Sequence, residues 1–111
     1  MQLDQHMQED VAVIALDGSL DSGTALHVQQ ELDDMMADRG QVLLDLGRMS
    51  YMSSAGLRVL LLIYRQAERT GARLALACVP PEVQSVLAAT GFLGFFHVAA
   101  TVEDGVAELS S

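Results

Sequence analysis

Apolar residues fall along this chain in two rhythms. Val11 to Leu16 (VAVIAL), Val42 to Leu44 and Arg73 to Val79 (RLALACV) are short runs bounded by polar or glycine positions, which predicts buried strands. Elsewhere the apolar positions recur at helical spacing. Ala25, Leu26, Val28, Leu32, Met35 and Met36 predict a helix from about Gly23 to Asp38, with Asp21 or Ser22 as its N-cap and Gly40 beyond its end. Met35 and Met36 read as core filler. Leu57, Leu60, Leu61, Tyr64 and Ala67 mark one face of a central helix closed by Gly71. Glu82 to Ala89 (EVQSVLAA) predicts a third helix, opened by Pro81 and stopped by Thr90-Gly91.

The ends of the chain complete the order. Gln2 to Met7 predicts a short edge strand, and Asp17-Gly18 a turn after the VAVIAL strand. Phe92, Leu93, Phe95 and Phe96 form an apolar patch leading into a last strand around Phe96 to Val98. The default for these rings is the core, the alternative a surface for a partner. Thr101 caps a final helix to Leu109, with Glu103 and Asp104 in its first turn. Strands alternating with helices imply an α/β sandwich: a mixed or parallel sheet of four to five strands with about four helices. At 111 residues the chain is expected to be one domain, 1–111.

The stretch with the most chemistry lies between the third strand and the central helix. Met52-Ser53-Ser54-Ala55-Gly56 places two hydroxyls at a helix N-terminus. A serine there accepts a hydrogen bond from a first-turn amide, so either Ser53 or Ser54 serves as N-cap. Gly56 permits close approach of another backbone. Two further readings concern the second hydroxyl. Met52-x-Ser54-x-Gly56 is half of a G-x-S-x-G nucleophile elbow, but only His97 follows as a base, and a small serine hydrolase is the weaker alternative. Phosphorylation fits better, because a helix N-terminus stabilises an anion by about 0.3–1 kcal/mol.

The run from Leu43 to Leu57, with Asp45-Leu46 ending the strand and then Met49-Ser50-Tyr51-Met52-Ser53-Ser54-Ala55-Gly56-Leu57, resembles the signature of STAS domains, and more narrowly of bacterial anti-sigma factor antagonists. Gly18-Ser19-Leu20-Asp21 resembles a second element of that family. The resemblance implies a STAS-like sandwich and a phosphoacceptor at Ser54, with Ser53, where the family has Asp, as second choice. It implies a partner surface around Asp21, Ser22, Ser53, Gly56 and Arg58. The partners implied are an anti-sigma factor serine kinase, bound by the unphosphorylated form, and a metal-dependent serine phosphatase that resets the switch. The expected state is a monomer or weak dimer. A non-phosphorylated STAS subunit of a lipid-transport or stressosome-like assembly is the alternative within the family.

Composition narrows the classes. Six Arg and no Lys against fifteen Asp plus Glu give a net charge of −9, which argues against nucleic acid as a partner. The single Cys78 precludes an internal disulfide and fits a reducing compartment, and its apolar setting predicts a buried structural thiol. No apolar run reaches membrane-spanning length and the start MQLDQHMQED is not a signal peptide, so no membrane partner and a cytoplasmic location are expected. No phosphate loop or Cys/His cluster is present, and His6, His27 and His97 are scattered, so no cofactor or metal is expected. Charge is uneven. Met1 to Gly40 holds nine acidic residues and only Arg39, whereas Gln41 to Arg73 holds five Arg with Asp45 and Glu68. Arg58, Arg65 and Arg69 are expected on the outer face of the central helix, as a solvated face partly balanced by Glu68 or as a docking surface for an acidic patch.

Overall fold

The computed structural model describes residues 1–110; Ser111, at the end of the expected domain, lies outside the described residues. The chain runs β1 (Gln2–Gln8), β2 (Val11–Leu20), α1 (Ala25–Met36), β3 (Gln41–Asp45), β4 (Met49–Met52), α2 (Ser54–Thr70), β5 (Arg73–Ala77), α3 (Pro81–Ala89), a 3-10 turn (Leu93–Phe95), β6 (His97–Ala99) and α4 (Val102–Ser110). The main sheet has the order β1-β2-β3-β5-β6, antiparallel between β1 and β2 and parallel elsewhere.

Six strands are present among the described residues, where the pattern predicted at most five. The extra one, β4, pairs in parallel with the far end of β2, Ser19 opposite Tyr51 and Leu20 opposite Met52. That pairing exists because β2 does not stop at Leu16. Asp17-Gly18, expected as a turn, is instead a bulge: Gly18 has φ +119°, the register shifts there, and its N–H donates to Arg48 O at 3.1 Å. The tight reversal lies earlier, at Glu9 and Asp10, both in the left-handed region.

Both faces of the sheet are covered. On one, Ala12, Ile14, Leu16, Val42, Leu44 and Leu76 pack under α1, α2 and α3. On the other, Val11, Val13, Leu43 and Ala75 pack under α4 through Val106 and Leu109. Consecutive strand residues point to opposite faces, so apolar runs such as VAVIAL belong to strands buried on both sides.

The caps confirm most of the punctuation. Thr101 accepts the Asp104 amide at 3.1 Å, Pro81 opens α3, and Gly71 and Gly91 take left-handed conformations after α2 and α3. Two expectations at α1 fail. Its N-cap position is Thr24, not Asp21 or Ser22, and the chain turns out of it through Asp38 at φ +62°, not through Gly40. Leu26, one of the apolar positions that marked this helix, is 68% exposed. It precedes the buried Val28 by two residues, which is about 200° around a helix and so points it away from the sheet. Among the described residues no helix is long and apolar enough to cross a membrane.

Candidate functional site

The end of β2 and the start of α2 are locked together by one carbonyl. Leu20 O accepts the Ser53 N–H at 3.0 Å, and a Cβ built on Gly56 would stand 2.4 Å from the same oxygen. Glycine is required here because the first turn of α2 packs directly on the β2 backbone. This contact puts the segment that follows Leu20 beside the two serines.

The serines divide the work. Ser53 is the N-cap, in an extended conformation, with its hydroxyl accepting the Gly56 amide at 3.4 Å. Ser54 is the first helical residue and exposed, so its hydroxyl is free of the capping role. Arg58 lies one turn further along the same exposed stripe. Ser53→Ala is expected to cost about 1 kcal/mol through loss of the cap. A urea midpoint unchanged by that replacement would show the long 3.4 Å bond to be energetically idle.

Asp21 directly follows the Leu20 carbonyl that holds Ser53, but its polar groups are engaged locally. Its carboxylate accepts the Gly23 amide at 2.9 Å and its carbonyl accepts the amides of Thr24 and Ala25. Thr24 Oγ1 in turn accepts the Asp21 amide at 3.1 Å and donates to Ser19 O at 2.9 Å, tying the turn to β2. Among the described residues no hydrogen bond joins Asp21 to Ser53 or Ser54. Ser22 is exposed.

Two apolar side chains absent from the expected site border it. Tyr51, on β4 two residues before Ser53, is 55% exposed, and Leu26 stands out from the first turn of α1. Tyr51 was legible only as part of the motif, because the strand that turns it outward was not foreseen.

His97 is not part of this constellation. It begins β6 at the opposite end of the strands, where it contacts Glu108 and lines a hollow with Arg73 and Leu109. The elbow reading therefore has no base near Ser54 from that histidine. Among the described residues, no cluster of three His, Cys, Asp or Glu side chains could hold a metal. Cys78 is partly buried at the end of β5, and burial followed by the nearby Asp45 carboxylate pushes its thiol above the ordinary range. A thiol held protonated is a poor nucleophile.

The outer face of α2 departs from expectation. Among the described residues no ion pair joins Glu68 to Arg65 or Arg69; desolvation first, and then the nearby Glu68 carboxylate, hold the Tyr64 phenol above its usual range. Arg69 reaches Gln66 instead. Of the aromatic patch, Phe96 is buried and packs edge-on to Tyr64 at 5.5 Å, while Phe95 stacks on Tyr64 at 5.8 Å and stays 52% exposed.

The family model for the STAS domain matches residues 2–105. The chain belongs to the STAS domain family. BtrV of Bordetella bronchiseptica, named as an anti-sigma factor antagonist, is 37% identical over 109 residues, covering 96% of this chain and 93% of that protein. An anti-sigma factor antagonist from Mycobacterium paratuberculosis has the same fold, with a TM-score of 0.90 at 20% identity over 99% of this chain and 94% of its own. The phosphorylated form of the Bacillus cell fate determinant SpoIIAA superposes with a TM-score of 0.73 at 21% identity, over 96% and 98% of the two chains. The STAS-like sandwich implied by the motifs is thus the fold of this chain.

Proposed function

We propose that this STAS domain is an anti-sigma factor antagonist and not an enzyme, and that Ser54 is its switch. In this reading the unphosphorylated form binds a serine-kinase anti-sigma factor and releases the kinase's target. Phosphate on Ser54 ends binding, and a metal-dependent serine phosphatase restores it. The observation that carries the reading is the division between the serines: Ser53 is occupied as a cap, while Ser54 offers an exposed hydroxyl at the start of a 17-residue helix. A phosphoserine adds roughly −1.5 to −2 charges, which the helix start tolerates and a docked surface does not. The relative named as an anti-sigma factor antagonist supports the partner class.

Intact-mass spectrometry after incubation with ATP and the cognate kinase tests the site. One phosphate on wild type and none on Ser54→Ala is the expected result. Phosphate retained by Ser54→Ala would move the switch to Ser53. No phosphate on either protein, with the kinase shown active, would favour the second reading, a structural STAS subunit of a larger assembly. The half-exposed Phe95 ring is the feature that favours that alternative.

A further inference from the structure

Two neighbouring helices on one face of the sheet carry opposite charge and leave it unpaired. α1 and α2 lie side by side and run in the same direction. Their starts meet where Ser53 bonds Leu20, and their ends meet where Met36, Ala37, Gln66 and Thr70 line a common hollow. Because Val28, Leu32 and Met36 are buried, Leu26, Gln30, Asp33 and Asp34 point outward on α1. Because Leu60, Ile63 and Ala67 are buried, Arg58, Arg65 and Arg69 point outward on α2. Among the described residues, none of Asp33, Asp34, Arg58, Arg65 and Arg69 belongs to an ion pair. Beside the charges lie apolar groups in reach of a partner, the exposed Leu26 and the partly buried Leu62.

We propose that this face docks onto a second copy of the chain. A two-fold axis lying between the facing surfaces and parallel to the helices sets α1 of each copy over α2 of the other, with equal heights kept. Asp33 and Asp34 then stand opposite Arg65 and Arg69 of the second copy. Leu26 meets the turn from Arg58 to Leu62. The contact is made twice, and both charge sets are satisfied together. A purely acidic partner would satisfy only α2, and a purely basic one only α1, whereas a rotated copy supplies both in the right order. The net charge of −9 on each chain opposes association at long range. At physiological ionic strength that repulsion is screened beyond about 8 Å, while charges in contact still pair. The proposal does not depend on phosphorylation of Ser54.

Sedimentation equilibrium of the full chain at about 0.15 M salt and up to about 1 mM protein tests it. Wild type should show a reversible monomer–dimer equilibrium. Arg65→Glu with Arg69→Glu, and separately Asp33→Arg with Asp34→Arg, should each weaken dimerisation at least roughly tenfold. Mixing the two double variants should restore a dimer containing one copy of each, because opposite charges then face each other at both contacts. All four positions are exposed, and circular dichroism checks that each variant keeps the fold. A wild type monomeric throughout overturns the proposal. So do a dimer equally strong in both double variants and a failure of the mixture to pair.

Discussion

Ser54→Asp should lose affinity for the kinase partner, Ser54→Ala should keep it, and the phosphorylated protein should fall furthest. Ser54 is exposed at the first helical position, so neither replacement removes a core contact or the Ser53 cap. An acidic group at a helix N-terminus is stabilised by about 0.3–1 kcal/mol, so Ser54→Asp should fold at least as stably as wild type. Any loss of binding must then arise at the interface. A dianion left against a partner without a matching cation carries a desolvation and repulsion cost; about 4 kcal/mol of it is a thousandfold in affinity. A single aspartate charge should give a smaller loss, on the order of ten- to a hundredfold. Calorimetric titration of the kinase with the three forms measures this order directly. Equal affinities for wild type, Ser54→Asp and phosphorylated protein would remove Ser54 from the switch, whatever the kinase does to it. Tyr51 and Arg58 are exposed neighbours of Ser54, and on the proposed reading reversal of Arg58 should weaken binding in the same titration.

Gly56→Ala should be the most damaging single-methyl change near the site. The added carbon would meet Leu20 O at 2.4 Å, the Leu20 side chain at 2.8 Å and Met52 at 2.9 Å. None of these can yield cheaply, since Leu20 O also holds the Ser53 amide and both side chains are in the core. Alanine favours a helix by about 1 kcal/mol over glycine, but overpacking of this kind costs about 1–3 kcal/mol, and loss of the Ser53 bond adds to it. A net destabilisation of about 1–3 kcal/mol is expected, visible as a lower urea midpoint. The same displacement would shift Ser53 and Ser54 away from the β2 end, so binding should weaken even where the variant stays folded. An unchanged midpoint would mean that the α2 start slides on β2 freely, contrary to the packing described.

The chain's pattern alone carried the fold class, the order of all four helices and five of the six strands. It carried them because buried strands and amphipathic helices write their burial directly into residue spacing, and because Pro81, Gly71, Gly91 and Thr101 sit where helix ends need them. It also narrowed the candidate switch to two adjacent serines, and the family motifs chose between them. Tertiary structure decided the rest. β4 is four residues long and becomes a strand only because β2 continues through the Gly18 bulge to meet it. The assignment of Ser53 to the cap depends on where α2 begins, and the contact of its first turn with Leu20 O fixes that start. Asp21 was expected to cap α1 and instead braces the turn before it, since Thr24 is held in place by a carbonyl of β2. The charges show the same division. Their sign and spacing on α1 and α2 are written in the sequence, but that Arg69 reaches Gln66, and that among the described residues no ion pair joins Glu68 to Arg65 or Arg69, is decided only by the folded arrangement. Spacing along a chain fixes which face a residue shares; only the packed neighbours fix what that residue touches.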